Sequence, residues 1–233
     1  MEQDWVTVNQ ITPSPLAQLL NHEKLAGMKI LVVGSSGIIG SAIVTALSER
    51  SQDIIEATHN GEGLTADLSD TQSLKALYDE VGQLDAVVCA AGVAQFGPLQ
   101  QLSDADFTQS IENKLMGQVN LVRCGIGKVT KGGSFTLTSG GLSQKPAAGT
   151  TAVSMVGAGV EAFVKGAAID LKNHYRINVV SPGWVAESRM QMGLDPMPGI
   201  WAKDLAEYYT DVVEGSQTGQ IIQAETAKLD IVL

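Results

Sequence analysis

The chain has 233 residues, 44% of them hydrophobic and 17% charged, where a typical globular domain carries about a quarter charged residues. The length allows one well-buried α/β domain or at most two small ones, and the composition fits a large core better than disorder. The formal net charge of −10 excludes binding to a phosphate backbone, which needs a basic face to displace counterions.

Residues 1–27 carry Pro13 and Pro15 ahead of a short apolar stretch, Leu16 to Leu20, and read as an N-terminal arm or extension. The domain proper spans 28–233. Lys29–Val33 is a continuous apolar run, as expected for a parallel strand covered on both faces. An amphipathic helix comes next, through Ile43, Leu47 and Arg50, and residues 54–58 form a second strand. Leu74, Leu77 and Val81 have helical spacing behind Asp70, a candidate cap. Residues 86–90 are a buried strand. Ser103-x-x-Asp106 resembles a capping box and opens a long helix through Phe107, Ile111 and Leu115. Strands at 135–137 and 177–180 flank a long small-residue helix at 152–172. A helix over 201–213 and a short strand at 221–222 complete the pattern. Repeated β-α-β units predict a Rossmann-type doubly wound parallel sheet in a single domain.

Cys89 and Cys124 lie in apolar contexts without CxxC spacing or a partner histidine, so they read as buried small hydrophobes, and no metal site is expected. No apolar run reaches the length of a membrane span, and the N-terminus lacks a basic-then-apolar signal pattern. A cytoplasmic protein with no membrane or nucleic-acid partner is the expectation.

The chemistry-bearing motif is Gly34-Ser35-Ser36-Gly37-Ile38-Ile39-Gly40, placed where the first strand ends and a helix begins. Glycines there permit a tight turn and let the backbone approach a pyrophosphate. The helix N-terminus adds unpaired N–H groups and partial positive charge. At the end of strand two, where an acid would accept from the ribose hydroxyls of NAD, the chain has Thr58-His59-Asn60. None is acidic and all can donate, which favours NADP, with NAD as the alternative. His59 also fits a plain exposed loop residue.

Taken together, Gly34–Gly40, Asp67-Leu68, Cys89-Ala90-Ala91-Gly92, Asn113-x-x-x-Gly117, Leu137-Thr138-Ser139 and Ser181-Pro182-Gly183 resemble the short-chain dehydrogenase/reductase family in order and spacing, over about residues 28–223. The resemblance implies that Asp67 and Leu68 hold the adenine and that Ala90, Ala91 and Gly92 line its ribose. Pro182 and Gly183 would face the nicotinamide, with Val185 on its carboxamide, and Ser139 and Asn113 would be catalytic. A loop cap is the competing role for Asp67.

One family element is absent. The four tyrosines, Tyr78, Tyr175, Tyr208 and Tyr209, are followed four residues on by Gly82, Val179, Val212 and Val213, so no Tyr-x-x-x-Lys exists. Aligning Ala158-Gly159-Val160, Phe163 and Ala168-x-Asp170-Leu171 with the family's helix puts Val153 at the tyrosine position and Gly157 at the lysine position. Valine can neither give nor take a proton, which forfeits on the order of 10²–10⁴ in rate. Gly157 and Gly159 in mid-helix mark either close packing or space for a ligand. Glu187, Ser188, Tyr208 and Tyr209 lie in the segment that usually covers substrate, as a proton source or as lid and helix surface. The resemblance thus implies an NAD(P)-binding oxidoreductase for a small carbonyl or hydroxyl substrate, working as a homodimer or homotetramer. The alternatives are a non-catalytic nucleotide-binding protein and a pocket reused for isomerase or lyase chemistry.

Overall fold

The computed structural model describes residues 27–50 and 52–225; the proposed N-terminal arm, Gly27 apart, lies outside them. Six parallel strands form one sheet in the order β2-β1-β3-β4-β5-β6. They are β1 Lys29–Val33, β2 Asp53–Ala57, β3 Leu84–Cys89, β4 Val129–Thr138, β5 Arg176–Pro182 and β6 Ile221–Ala224. The helices are α1 Ile38–Glu49, α2 Thr71–Val81, α3 Asp104–Ser110, α4 Gly117–Gly125, α5 Thr151–Asp170, α6 Ala186–Gln191 and α7 Ala202–Glu214.

The apolar run of β1 splits by the two-residue period of a strand. Leu31 and Val33 enter a core with α2, α4 and α5, through Leu74, Leu121 and Val160. Ile30 and Val32 enter a second core with α1 and α7, through Ile43, Leu47, Leu205 and Tyr209. Both sheet faces are therefore covered, as a continuous apolar strand requires. Cys89 and Cys124 are free and pack in the first core, and burial pushes the Cys89 thiol up.

The expected caps are present. Asp70 accepts from the backbone of Gln72, and Ser103 with Asp106 forms a reciprocal capping box. The long helix after Ser103 is instead three pieces: α3, a turn of π-helix at Ile111–Met116, then α4. A π-turn inserts a residue into the helical ladder and rotates the helix beyond it. β4 starts earlier than its apolar centre suggested. Gly132 and Gly133 lie within it, and a Cβ at Gly133 would meet the Asp85 carbonyl of β3.

The expectation of no membrane-length segment needs correction. α5 has 20 residues and is long and apolar enough, by length and composition alone, to cross a bilayer. Here that apolar character serves the first core, through Val160 and Val164, and the helix also carries a buried Glu161.

β1 has β2 on one side and β3 on the other, so the chain reverses its direction of travel across the sheet there. Such a switch opens a crevice at the carboxyl ends of the strands. Val33 is level with Ala57 and Cys89. The crevice is thus bounded by the loops after Val33, Ala57 and Cys89.

Candidate active site

The glycines after β1 do different work. Gly34 has φ +87°, donates to the Ala57 carbonyl at 2.8 Å, and lies so close to the next loop that a Cβ would be 2.8 Å from that of Ala91. At Gly40 a Cβ would enter the Gly34 carbonyl. These two hold the turn together. Gly37 is exposed, and a Cβ on it meets only the Gly34 oxygen, at 3.4 Å. It caps α1 with no side-chain hydrogen bond to the helix amides. This is a cradle of free N–H groups over open space, and a dinucleotide pyrophosphate fits it. Ser35 is buried, Ser36 is exposed, and Ile38 and Ile39 are half-buried against the second core.

On the β2 side, the Thr58 hydroxyl donates to the Asn60 carbonyl, while His59 and Asn60 are exposed. Asp67 accepts from the Ser69 amide at 2.9 Å through Oδ1, so it does act as a loop cap; Oδ2 has no hydrogen-bond partner among the described residues. Leu68 is buried under α4, where a Cβ on Gly117 would reach 2.7 Å from its own. Ala90 donates to the Val33 carbonyl, which fixes the Ala90-Ala91-Gly92 loop beside the glycine turn. Across the crevice, Gly183 donates to the Ala224 carbonyl. Val185 buries its side chain in the second core, and only its backbone remains to face a ligand.

Next to this crevice is a cavity of roughly 170 Å³ whose walls include Gly92, Phe96, Lys114, Ser139, Val153 and Gly157. Ser139 stands at the end of β4, and Val153 and Gly157 come from the first half of α5. The two positions that lost the tyrosine and lysine therefore do face one space with the serine. A Cβ on Gly157 would touch Ser143 at 3.3 Å, whereas Gly159 packs within the chain against Leu115, at 3.0 Å from its methyls. Gly157 serves the cavity and Gly159 serves packing.

Two residues that sequence reasoning passed over shape the site. The first is Glu161, one turn beyond Gly157 on α5 and only 6% exposed. Its Oε1 accepts from Ser139 at 2.9 Å, Ser143 at 2.6 Å and Ser181 at 3.1 Å, and its Oε2 from Gln144 at 3.3 Å. Four neutral donors hold this side chain, and among the described residues it makes no ion pair. The second is Lys114, in the π-turn. Its stem passes against Gly92, where a Cβ would be 2.6 Å from Cδ and 3.6 Å from Nζ. Burial pushes the Lys114 ammonium below its ordinary range, and Cys89 nearby acts the other way.

Asn113, Lys114's neighbour, is turned elsewhere. It accepts from the Val93 amide and donates to Ser69, and it is not part of the cavity wall. The hydroxyl of Thr138 donates to the Cys89 carbonyl at 2.6 Å and pairs with the Tyr209 hydroxyl at 2.7 Å. Tyr209 is fully buried, which pushes its hydroxyl well up, and it works as core. Glu187 accepts from the Ala202 amide with both oxygens and so caps α7. Tyr208 packs on the second core.

Residues 37–208 match the family model described as enoyl-(acyl carrier protein) reductase. Among solved structures, the protein lin1944 from Listeria innocua is 37% identical with a TM-score of 0.80, covering 84% of this chain and 99% of that one. A small-chain dehydrogenase solved in complex with NADPH is 26% identical with a TM-score of 0.76, covering 85% and 97%. Elsinochrome reductase 1 of Elsinoe fawcettii is 29% identical over 192 residues, 72% of each chain. With a match that runs from Gly37 through the crevice loops and the helix that bounds the cavity, the chain belongs to the short-chain dehydrogenase/reductase family of oxidoreductases.

Proposed function

We propose that this chain is an NADP-preferring oxidoreductase that acts on a small carbonyl or hydroxyl compound without the family's tyrosine and lysine. The carrying observation is that one loop, Ala90–Gly92, borders both the glycine cradle and the cavity holding Ser139 and Lys114. Gly34 to Gly40 and the N-terminus of α1 would hold the pyrophosphate, Asp67 the adenine, and Pro182, Gly183 and the Val185 backbone the nicotinamide. A reduced nicotinamide bound there supplies a hydride. The apolar walls, Phe96, Val153 and Val156, would orient a substrate and exclude water.

NADPH is expected to bind about tenfold more tightly than NADH, or about 1.4 kcal/mol. His59 and Asn60 are exposed and offer side-chain donors to a 2′-phosphate with no carboxylate to repel it, while the Thr58 hydroxyl is spent on the Asn60 carbonyl. Calorimetric titration with both nucleotides, followed by a hydride-transfer screen, checks this. Tighter NADH binding would remove the role given to His59 and Asn60. Binding of either nucleotide with no turnover would favour the non-catalytic reading, whose support is Val153 and Gly157.

A homodimer or homotetramer is part of the proposal. Along α5, Met155, Ala158, Ala162, Gly166 and Ile169 form a stripe at helical spacing that lies largely exposed, and Ile111 and Met116 are exposed on the π-turn. Small residues in such a stripe allow close helix approach. Light scattering at micromolar concentration should give at least twice the chain mass of 24.5 kDa. A monomer under those conditions contradicts the assembly.

A further inference from the structure

We propose that Lys114 is the proton donor to the substrate oxygen in this cavity, replacing from the π-turn the acid that α5 lacks. The inference rests on the reading of the cavity as the hydride-acceptor site.

Elimination among the walls leaves Lys114. The nine residues lining the cavity are Ser139, Lys114 and seven that carry no titratable or hydroxyl side chain. A serine hydroxyl has one proton, and that of Ser139 is given to Glu161 at 2.9 Å. Towards the cavity Ser139 can therefore only accept. Ser143, next to Gly157, likewise gives its proton to Glu161, and Thr138 and Tyr209 are spent on each other and on Cys89. Lys114 has three N–H groups, and among the described residues its ammonium makes no ion pair or hydrogen bond. Gly92 leaves the space through which the stem passes. Lys114 is thus a cation with unspent donors at the wall of an apolar cavity that it shares with an acceptor-only serine.

The chemistry balances. As hydride reaches the carbonyl carbon and forms the C–H bond, the C=O π pair moves onto oxygen. The Lys114 N–H bond breaks, an O–H bond forms, and the amine is left neutral until solvent re-protonates it. Ser139, accepting from the second N–H or from the new hydroxyl, orients the donor. The nicotinamide ends oxidised and the carbonyl reduced. A donor works best with a pKa near the working pH, and burial moves Lys114 in that direction. The titratable groups around it are Cys89 from β3 and, behind Ser139, Glu161 from α5.

The test uses the full chain with NADPH and a panel of ketones and aldehydes, with Lys114→Met and Lys114→Arg as variants. Both should bind NADPH with wild-type affinity and lose on the order of 100-fold or more in kcat. Lys114→Arg keeps the charge and guards against a folding defect in Lys114→Met. In wild type, kcat/KM should fall as pH rises through the Lys114 pKa, a limb absent from Lys114→Met. Independently of turnover, the resonance of ¹³C-methylated Lys114 should titrate below those of the other lysines. A kcat within threefold of wild type in either folded variant overturns the proposal. So does a Lys114 resonance that titrates with the others, or NADPH binding with no carbonyl reduced by wild type. Failure to bind NADPH at all overturns the cofactor reading instead.

Discussion

Gly37→Val is expected to abolish dinucleotide binding, a loss of at least about 100-fold or 2.7 kcal/mol, in a protein that still folds. Gly37 has φ −77° and ψ 167°, a conformation that valine adopts readily. A Cβ on it makes only ordinary contact with the Gly34 oxygen at 3.4 Å. Valine at a helix N-cap costs about 1 kcal/mol against the preferred residues. The added methyls project over the start of α1, where the N–H groups converge on the pyrophosphate. Gly34 and Gly40 are poor places for this test, since a side chain at either collides with backbone and disturbs the fold. Calorimetry with NADPH, beside a thermal melt, separates the two effects. Unchanged affinity in a folded variant removes the glycine turn from the binding site.

Glu161→Ala is expected to lower stability by about 3 kcal/mol or more. It removes the shared acceptor of Ser139, Ser143, Ser181 and Gln144. Ser139 is 8% exposed and Ser181 fully buried, so water cannot easily replace the lost partner. Each orphaned buried donor costs about 1–3 kcal/mol. For a domain of this size the melting temperature should drop by about 6–12 °C. Glu161→Gln keeps a carbonyl oxygen in place and should lose much less. A melting temperature for Glu161→Ala within about 2 °C of wild type would show that the three serines are satisfied some other way.

Fold and cradle were legible because each rests on local pattern. The apolar run of β1, the caps at Asp70 and Ser103, and glycines between a strand and a helix all act over a few residues. The π-turn was not legible, since Ile111 and Leu115 keep ordinary helical spacing while the ladder gains a residue between them. That rotation matters to the site: Asn113 reaches Val93 and Ser69, and Lys114 reaches the cavity. Glu161 escaped notice because its partners come from β4, β5 and the turn at Gly141–Ser143, far away in sequence. The Tyr208-Tyr209 pair shows the same limit. Sequence spacing does not say which of two adjacent tyrosines enters the core, and the 2.7 Å contact from Thr138 does.

Carbonyl reduction in this chain requires the nicotinamide to reach the cavity that holds Ser139 and Lys114. Determining the crystal structure of the chain with NADPH tests this most directly. The prediction is a pyrophosphate over Gly37 and α1, a nicotinamide against Pro182 and Gly183, and its C4 face open to the cavity beside Ser139. A nicotinamide turned away from that cavity, or a nucleotide bound outside the crevice between the loops after β1 and β3, would contradict it.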